Sequence, residues 1–160
     1  MNEESMSFVF GLILLIFLSS TGLLFSEKRE IERLENNFVA RMSAGEFDKA
    51  IGVTSDNFKW IQFEDKDKDP EFRKTYTAKE FAEWIRTMPD RTGVDYRIND
   101  VKKLSNREYV LQTEMMVRFY TATHNSTLHW RAQCRWQQIG SNWQMTELME
   151  TSNPTTNVSN

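Results

Sequence analysis

The order of apolar and charged positions divides this chain into three parts. Met6–Phe25 is a run of twenty residues with no charge, rich in Leu, Ile and Phe, and a cluster of charges over residues 26–30 follows at once. A helix of that length is about 30 Å long, which matches the hydrocarbon thickness of a bilayer. The pattern predicts a membrane segment over residues 1–26, a folded domain over residues 27–150 and a disordered tail over residues 151–160.

The apolar run is compatible with either a membrane anchor or a cleaved signal peptide. Phe8–Leu18 has the length of a signal-peptide core, and Ser20–Gly22 offers small residues for cleavage. Leu23–Phe25 prolongs the run and no Lys or Arg precedes it, which favours a single-pass anchor in the cell membrane. Lys28 and Arg29 favour a cytoplasmic domain, whereas a lone N-terminal segment usually exports the domain behind it. The side of the membrane is therefore left open.

Helical periodicity predicts three helices after the apolar run. The first covers residues 27–44, and its apolar face holds Ile31, Leu34, Phe38 and Met42. Its solvent side is expected to hold Glu30, Arg33, Glu35 and Arg41. A second, short helix is predicted over Glu46–Val53. The third opens at the capping box formed by Thr77 and Glu80 and ends before Pro89.

Alternation of apolar and polar residues predicts the strands. Phe58–Phe63 is the first, and four more are predicted over residues 94–103, 108–120, 127–138 and 142–150. In the strand over 127–138, one face holds Leu128, Trp130, Ala132, Cys134 and Trp136. The other face holds His129, Arg131, Gln133, Arg135 and Gln137. Helices followed by an antiparallel meander with one apolar face predict an α+β fold in which helices cover one side of a sheet.

Two segments carry a resemblance to a known family. The stretch Met42–Ala50 between the first helices and the closing hairpin Gly140–Met145, together with the order of elements over residues 28–150, resemble the nuclear transport factor 2-like superfamily, which includes the SnoaL-like proteins. The resemblance implies a cone-like fold, with a strongly bent antiparallel sheet wrapped around the helices. Members include ketosteroid isomerase, scytalone dehydratase, polyketide cyclases and non-enzymatic assembly domains, so the resemblance implies a fold more than a function.

Composition excludes several classes of function. Residues 27–160 hold all 20 Lys and Arg and 21 of the 23 Asp and Glu, so this part carries a formal charge of −1. Nucleic-acid binding usually needs a strongly basic face, and it is not expected here. The lone Cys134 excludes an internal disulfide, and the residue spacing favours no metal site, so no cofactor is expected.

The alternation of inward and outward side chains along the strands selects three candidate catalytic residues. On the strand over 142–150, Glu147 lies on the same face as Trp143 and Met145, so it points inward if they do. On the strand over 94–103, Asp100 likewise shares a face with Tyr96 and Ile98, and we expect it near the same end of the cone. Glu147, Asp100 and Tyr96 are thus the candidates for an acid, a base and a hydrogen-bond donor. The alternative, which we favour, is that Glu147 lies at a strand end in solvent or paired with an arginine.

Aromatic residues allow either a pocket or a filled core. The predicted pocket residues are Trp60, Trp84, Met115, Trp130 and Trp136, which would suit a small apolar ligand. The same side chains can fill the cone, and the eight methionines favour that alternative.

The opposite face of the sheet has the composition of an interface. Its members include Arg118, Tyr120, Arg131, Gln133 and Arg135. The leading interpretation is a membrane-anchored, non-catalytic domain that contacts itself or another membrane protein through this convex face. The alternative is an isomerase, dehydratase or cyclase of a small apolar molecule that uses a pocket carboxylate.

Overall fold

The computed structural model describes residues 25–63, 73–87, 91–120, 125–151 and 155–159. Helix α1 covers residues 25–43, and α2 (Phe47–Ile51) follows after a turn at Gly45. Gly45 has φ of 75°, and the amide of Glu46 donates to the carbonyl of Arg41 at 2.9 Å. Because the left-handed conformation costs a glycine little, Gly45 allows α1 to end there.

No helix within these ranges is both long and apolar enough to cross a bilayer. The predicted membrane segment lies outside the described residues, apart from Phe25 and Ser26.

The strands form one sheet that contains the predicted meander. Their bounds are β1 (Thr54–Phe63), β2 (Arg73–Tyr76), β3 (Arg91–Ser105), β4 (Glu108–Tyr120), β5 (Asn125–Ile139), β6 (Asn142–Glu150) and β7 (Thr155–Ser159). The order across the sheet is β2-β1-β6-β5-β4-β3, and β7 pairs with β5. β1 runs parallel to β6, while the other pairs are antiparallel. The five predicted strands are therefore present, and β2 and β7 are additional.

Helix α3 (Ala78–Arg86) begins as its sequence predicts. The Thr77 hydroxyl accepts from the amide of Glu80 at 3.3 Å, while the Glu80 carboxylate accepts from the Thr77 amide at 2.7 Å. This capping box satisfies two amides that a helix start leaves unpaired. Phe81 and Ile85 are buried on the face that packs on the sheet.

The core lies between the helices and the inner face of the sheet. On β5 the residues Trp130, Ala132, Cys134 and Trp136 are buried, whereas Arg131 is exposed. The alternation predicted for this strand is thereby confirmed. An α+β fold with its helices inside a curled sheet follows, because the apolar faces of both layers can be buried only against each other.

The C-terminal segment differs from the prediction of a disordered tail. β7 pairs with β5 from Asn125↔Ser159 to His129↔Thr155, directly beyond the point where β6 ends opposite Ala132. β6 leaves this stretch of the β5 edge unpaired, and strand edges readily accept another segment. Residues 155–158 include the β-branched Thr155, Thr156 and Val158, which favour extended backbone.

Candidate functional site

The interior of the cone contains a carboxylate that the sequence prediction placed in solvent. Glu35 lies on α1 and is only 1% exposed. It belongs to a buried stripe with Ile31, Phe38 and Met42. The helix turns 3.6 residues per turn, so a residue four after Ile31 and three before Phe38 faces the same way as both. The expectation that Glu35 faces solvent is therefore wrong.

Both oxygens of Glu35 accept hydrogen bonds from the sheet. The Tyr96 hydroxyl of β3 donates to Oε1 at 2.6 Å, and the Trp136 indole Nε1 of β5 donates to Oε2 at 2.7 Å. A buried carboxylate is costly unless it has such partners, because it has lost its water. The three side chains thus tie the helix to two strands through one polar centre, which we call the Glu35 centre.

Burial changes the acidity of this centre. Loss of water raises the pKa of the Glu35 carboxyl, and the hydrogen bonds from Tyr96 and Trp136 oppose that rise only in part. The pKa of Tyr96 is raised by burial and by the nearby charge of Glu35. Burial and Glu35 likewise raise the pKa of the Cys134 thiol, so Cys134 is a neutral core residue and not an activated nucleophile.

A small cavity lies beside the Glu35 centre. Its volume is about 50 Å³, and its wall includes Glu35, Tyr96, Thr113, Trp130 and Cys134 among mostly apolar side chains. The Thr113 hydroxyl donates to the Ala132 carbonyl at 3.2 Å. The Trp130 indole N–H is buried and has no hydrogen-bond partner among the described residues. This space suits one or a few water molecules, since ligand pockets usually measure roughly 300–1,000 Å³.

The predicted pocket residues divide between the cavity wall and the solid core. Met115 and Trp130 line the cavity. Trp60 is buried in an aromatic cluster, with ring centroids 4.6 Å from Trp84 and 4.9 Å from Tyr76. Trp136 is fully buried and serves as a donor to Glu35. The aromatic residues therefore fill most of the cone.

Of the three residues nominated for chemistry, the structure brings only Tyr96 to the interior. Asp100 is exposed, and one of its oxygens accepts from the Val101 amide at 2.8 Å. Between Ile98 and Asp100 the pairing with β4 shifts by one residue. This bulge reverses the parity after Ile98, so Asp100 does not follow Tyr96 into the cone.

A second bulge keeps Glu147 outside. On β6, Met145 pairs with Trp136 and Glu147 pairs with Arg135, so Thr146 is an extra residue. Met145 and Leu148 are buried on either side of this bulge. Glu147 lies on the outer face instead, 3.5 Å from the Arg135 guanidinium. Beyond the bulge the reversed parity buries Glu150, which is paired with Ala132 in the ladder.

The outer face of the sheet carries a cluster of ion pairs centred on Glu114. Its carboxylate lies 2.6 Å from Arg97, 3.2 Å from Arg131 and 2.6 Å from His129 Nε2. Hydrogen bonds from Arg97 and then Arg131, with a smaller contribution from His129, lower the pKa of Glu114 to about 2. Glu114 is therefore ionised over the whole physiological range.

The other residues predicted for the interface lie on the same face or at its end. Arg118 pairs with Asp95, and Arg135 pairs with Glu108 as well as Glu147. Gln133 accepts from the Gln112 amide at 3.0 Å. Tyr120 is the last residue of β4 and is opposite Asn125 in the ladder. The arginines of this face are thus neutralised by carboxylates of neighbouring strands.

The sequence contained a signal for one of the two buried carboxylates that the prediction missed. Glu35 interrupts an apolar stripe at the spacing of buried positions, and that pattern alone marks it as a carboxylate in the core. Glu150 gave no such signal, because the bulge at Thr146 is set by pairing with β5 and not by local composition.

Comparison with known proteins identifies the fold. No protein-family model matches the sequence, and no curated protein matches it. Among solved structures, an NTF2-like protein from Cytophaga hutchinsonii is 14% identical with a TM-score of 0.57, over 76% of this chain and 94% of that one. The hexachlorocyclohexane dehydrochlorinase LinA type 2 is 9% identical with a TM-score of 0.62, over 85% and 90%. The association domain of CaMKII from C. elegans is 12% identical with a TM-score of 0.61, over 79% and 96%.

These similarities establish the fold as that of nuclear transport factor 2-like proteins, in agreement with the sequence resemblance. Identities this low carry no function. The similar structures include an enzyme and an association domain, so the fold is compatible with either role.

Proposed function

We propose that this chain is a non-catalytic association domain, held at a membrane by its N-terminal apolar run, which self-associates through the outer face of the β3–β6 sheet. The observation that carries the proposal is the contrast between the two faces of the sheet. The inner face closes on a cavity of about 50 Å³. On the outer face, Arg131 is exposed and Gln112, Met116 and Gln133 are only half-buried.

The charges of the outer face favour contact with a second copy. Arg118, Arg131 and Arg135 already have carboxylate partners within the sheet. Burying a charge is costly chiefly when it loses its partner, so a face of paired charges can be covered at lower cost. Arginine and methionine are also enriched at protein interfaces. The fold is compatible with such a role, since the CaMKII association domain has it as well.

The membrane part of the proposal is drawn from the sequence. Met6–Phe25 is long enough to span a bilayer, and its last residue is the first described residue of α1. A tether would confine the domains to two dimensions and raise their local concentration, which favours weak self-association.

Light scattering on the full chain in detergent tests the association. Arg131 is 58% exposed at its side chain, so Arg131→Glu should disturb the outer face while costing the fold little. We expect the wild type to be a dimer or larger, and Arg131→Glu to shift it toward monomer. Lys79→Glu on α3 is the matched charge reversal and should leave the assembly intact. A wild type that stays monomeric at high concentration would overturn the proposal.

A second candidate function rests on the Trp130 indole. Its N–H has no partner in the part of the chain that the structure describes, and Trp130 lines a cavity together with Glu35 and Tyr96. A small apolar molecule with one hydrogen-bond acceptor would satisfy that donor, and Glu35, with its raised pKa, would be placed to take up or give a proton. The chain would then be an isomerase, dehydratase or cyclase whose acid or base is Glu35, in place of Asp100 or Glu147.

Ligand-dependent stability separates the two functions. A molecule that binds only the native state raises the unfolding temperature, so a thermal-shift screen with steroids, polyketides and fatty acids tests for a usable pocket. For the association domain we expect no shift. A concentration-dependent shift that Trp130→Phe abolishes would favour the second function.

A further inference from the structure

One end of the domain brings together the first described residues of α1 and two hairpin ends. We call this the basal end and define it as residues 25–29, 102–108 and 138–142. Lys103 Nζ lies 2.6 Å from Glu27 Oε2, and the Tyr109 hydroxyl donates to the same oxygen at 3.1 Å. The amide of Gln138 donates to the carbonyl of Arg107 at 2.9 Å, which joins the two hairpins. The basal end is therefore one continuous surface.

The exposed large apolar side chains of the described residues all lie at this end. Phe25 is 57% exposed, Leu104 45% and Ile139 47%. Leu104 lies where the β3–β4 pairing shifts between Lys103 and Ser105, and such bulges redirect a side chain. Exposed apolar side chains that cluster at one end of a fold, which we call the apolar tips, indicate an interaction site, whereas single scattered ones do not.

Positive charge surrounds these tips, although the whole chain carries a formal charge of −3. The basal end holds five cationic residues, namely Lys28, Arg29, Lys102, Lys103 and Arg107. Its two carboxylates, Glu27 and Glu108, are occupied by Lys103 and Arg135. Lys102 and Arg107 are exposed. Apolar tips within a basic rim are the composition that binds the interface of an anionic bilayer.

We propose that the basal end docks on the surface of an anionic bilayer, with Leu104 and Ile139 inserted among the lipid headgroups. The proposal rests on the membrane tether of the proposed function. It goes beyond that tether, because it fixes the orientation of the domain: the hairpin ends face the lipid and α3 faces away from it. Phe25 is the last residue of the apolar run and lies within the basal end, so the proposed tether and the docking surface are at the same end of the domain.

An environment-sensitive fluorophore tests the orientation in the full chain. Leu104→Cys labelled with a nitrobenzoxadiazole maleimide is reconstituted into phosphatidylcholine vesicles with or without phosphatidylserine. Cys134 is buried, so the label goes to residue 104. We expect a blue-shifted emission and several-fold stronger quenching by brominated lipids than for the matched label at Glu83→Cys on α3. Quenching should increase when phosphatidylserine is present.

Charge reversal tests the basic rim. Lys102→Glu with Arg107→Glu should reduce quenching at position 104 on phosphatidylserine vesicles, whereas Lys79→Glu should not. Equal quenching at residues 104 and 83 in a chain that floats with the vesicles would overturn the docking surface alone. A blue shift without lipid quenching would indicate that Leu104 contacts a second copy of the chain and not lipid. That result would overturn the docking surface as well. A full chain that does not float would overturn the tether and the docking together.

Discussion

Glu35 shows how a single residue determines the chemistry of the interior. Its carboxylate is surrounded by apolar side chains and is retained because Tyr96 and Trp136 each donate to one oxygen. Such a group links stability to pH, since the folded state holds a proton more firmly than the unfolded chain does. The sign follows from the raised pKa of Glu35. Its contribution to stability is fully present below the unfolded pKa and is lost as pH rises through the folded pKa.

Glu35→Gln should remove this pH dependence. Gln can accept from the Trp136 N–H and donate to the Tyr96 hydroxyl, so the substitution keeps two hydrogen bonds without a charge to bury. We expect wild-type stability to fall from about pH 4.5 upward relative to the variant, and a tenfold change in the acid constant corresponds to about 1.4 kcal/mol. Urea unfolding midpoints across pH measure the difference.

The exposed Glu83→Gln on α3 is the matched control for that series and should keep the wild-type slope. If wild type and Glu35→Gln lose stability in parallel between mildly acidic and alkaline pH, Glu35 does not titrate as a buried group.

At the scale of elements, sequence periodicity correctly predicted the strands of the meander, and it predicted which face of the sheet each residue lies on wherever strand pairing is regular. On β5 the inward tryptophans and the outward arginines follow strict alternation, and the prediction there is confirmed. On β3 and β6 the same reasoning failed at Asp100 and Glu147, because one extra residue in each strand reverses the faces beyond it. A bulge depends on the partner strand, and local sequence does not record it.

β7 is the element with the least support in the sequence, and Asn157→Pro tests it. Asn157 is opposite Thr127, and the odd-numbered residues of β5 turn their backbone groups toward this edge, as the bond from the Thr151 amide to the Arg131 carbonyl shows. Proline at this position removes a ladder amide, so the pairing of β7 with β5 should be lost at a cost of about 1 kcal/mol. Hydrogen exchange should then accelerate at the β5 amides of residues 125, 127 and 129, and remain slow over residues 132–136, where β6 pairs. Asn157→Ala keeps the amide and should leave exchange unchanged. Unaltered exchange in Asn157→Pro would show that β7 does not protect β5.

At the scale of the whole molecule, the fold was predictable and the site was not. The order of helices and strands and the apolar face of the meander were sufficient for the class of fold. The polar centre required tertiary structure, because Glu35 comes from the first helix while its donors come from strands 61 and 101 residues further along the chain. The fold in turn does not determine the function, since solved structures with this fold include both LinA and the CaMKII association domain.

Two copies of the chain are proposed to meet through their outer sheet faces, and a cross-link across that contact tests this most directly. Gln112→Cys places a thiol near the middle of that face, opposite Gln133, and a short bis-maleimide applied to membranes containing the full chain tests the contact directly. We predict a cross-linked product at twice the 18.9 kDa chain mass, and none from the matched Glu83→Cys on α3. A Gln112→Cys chain that stays monomeric under cross-linking, or one that cross-links no better than Glu83→Cys, would contradict the account.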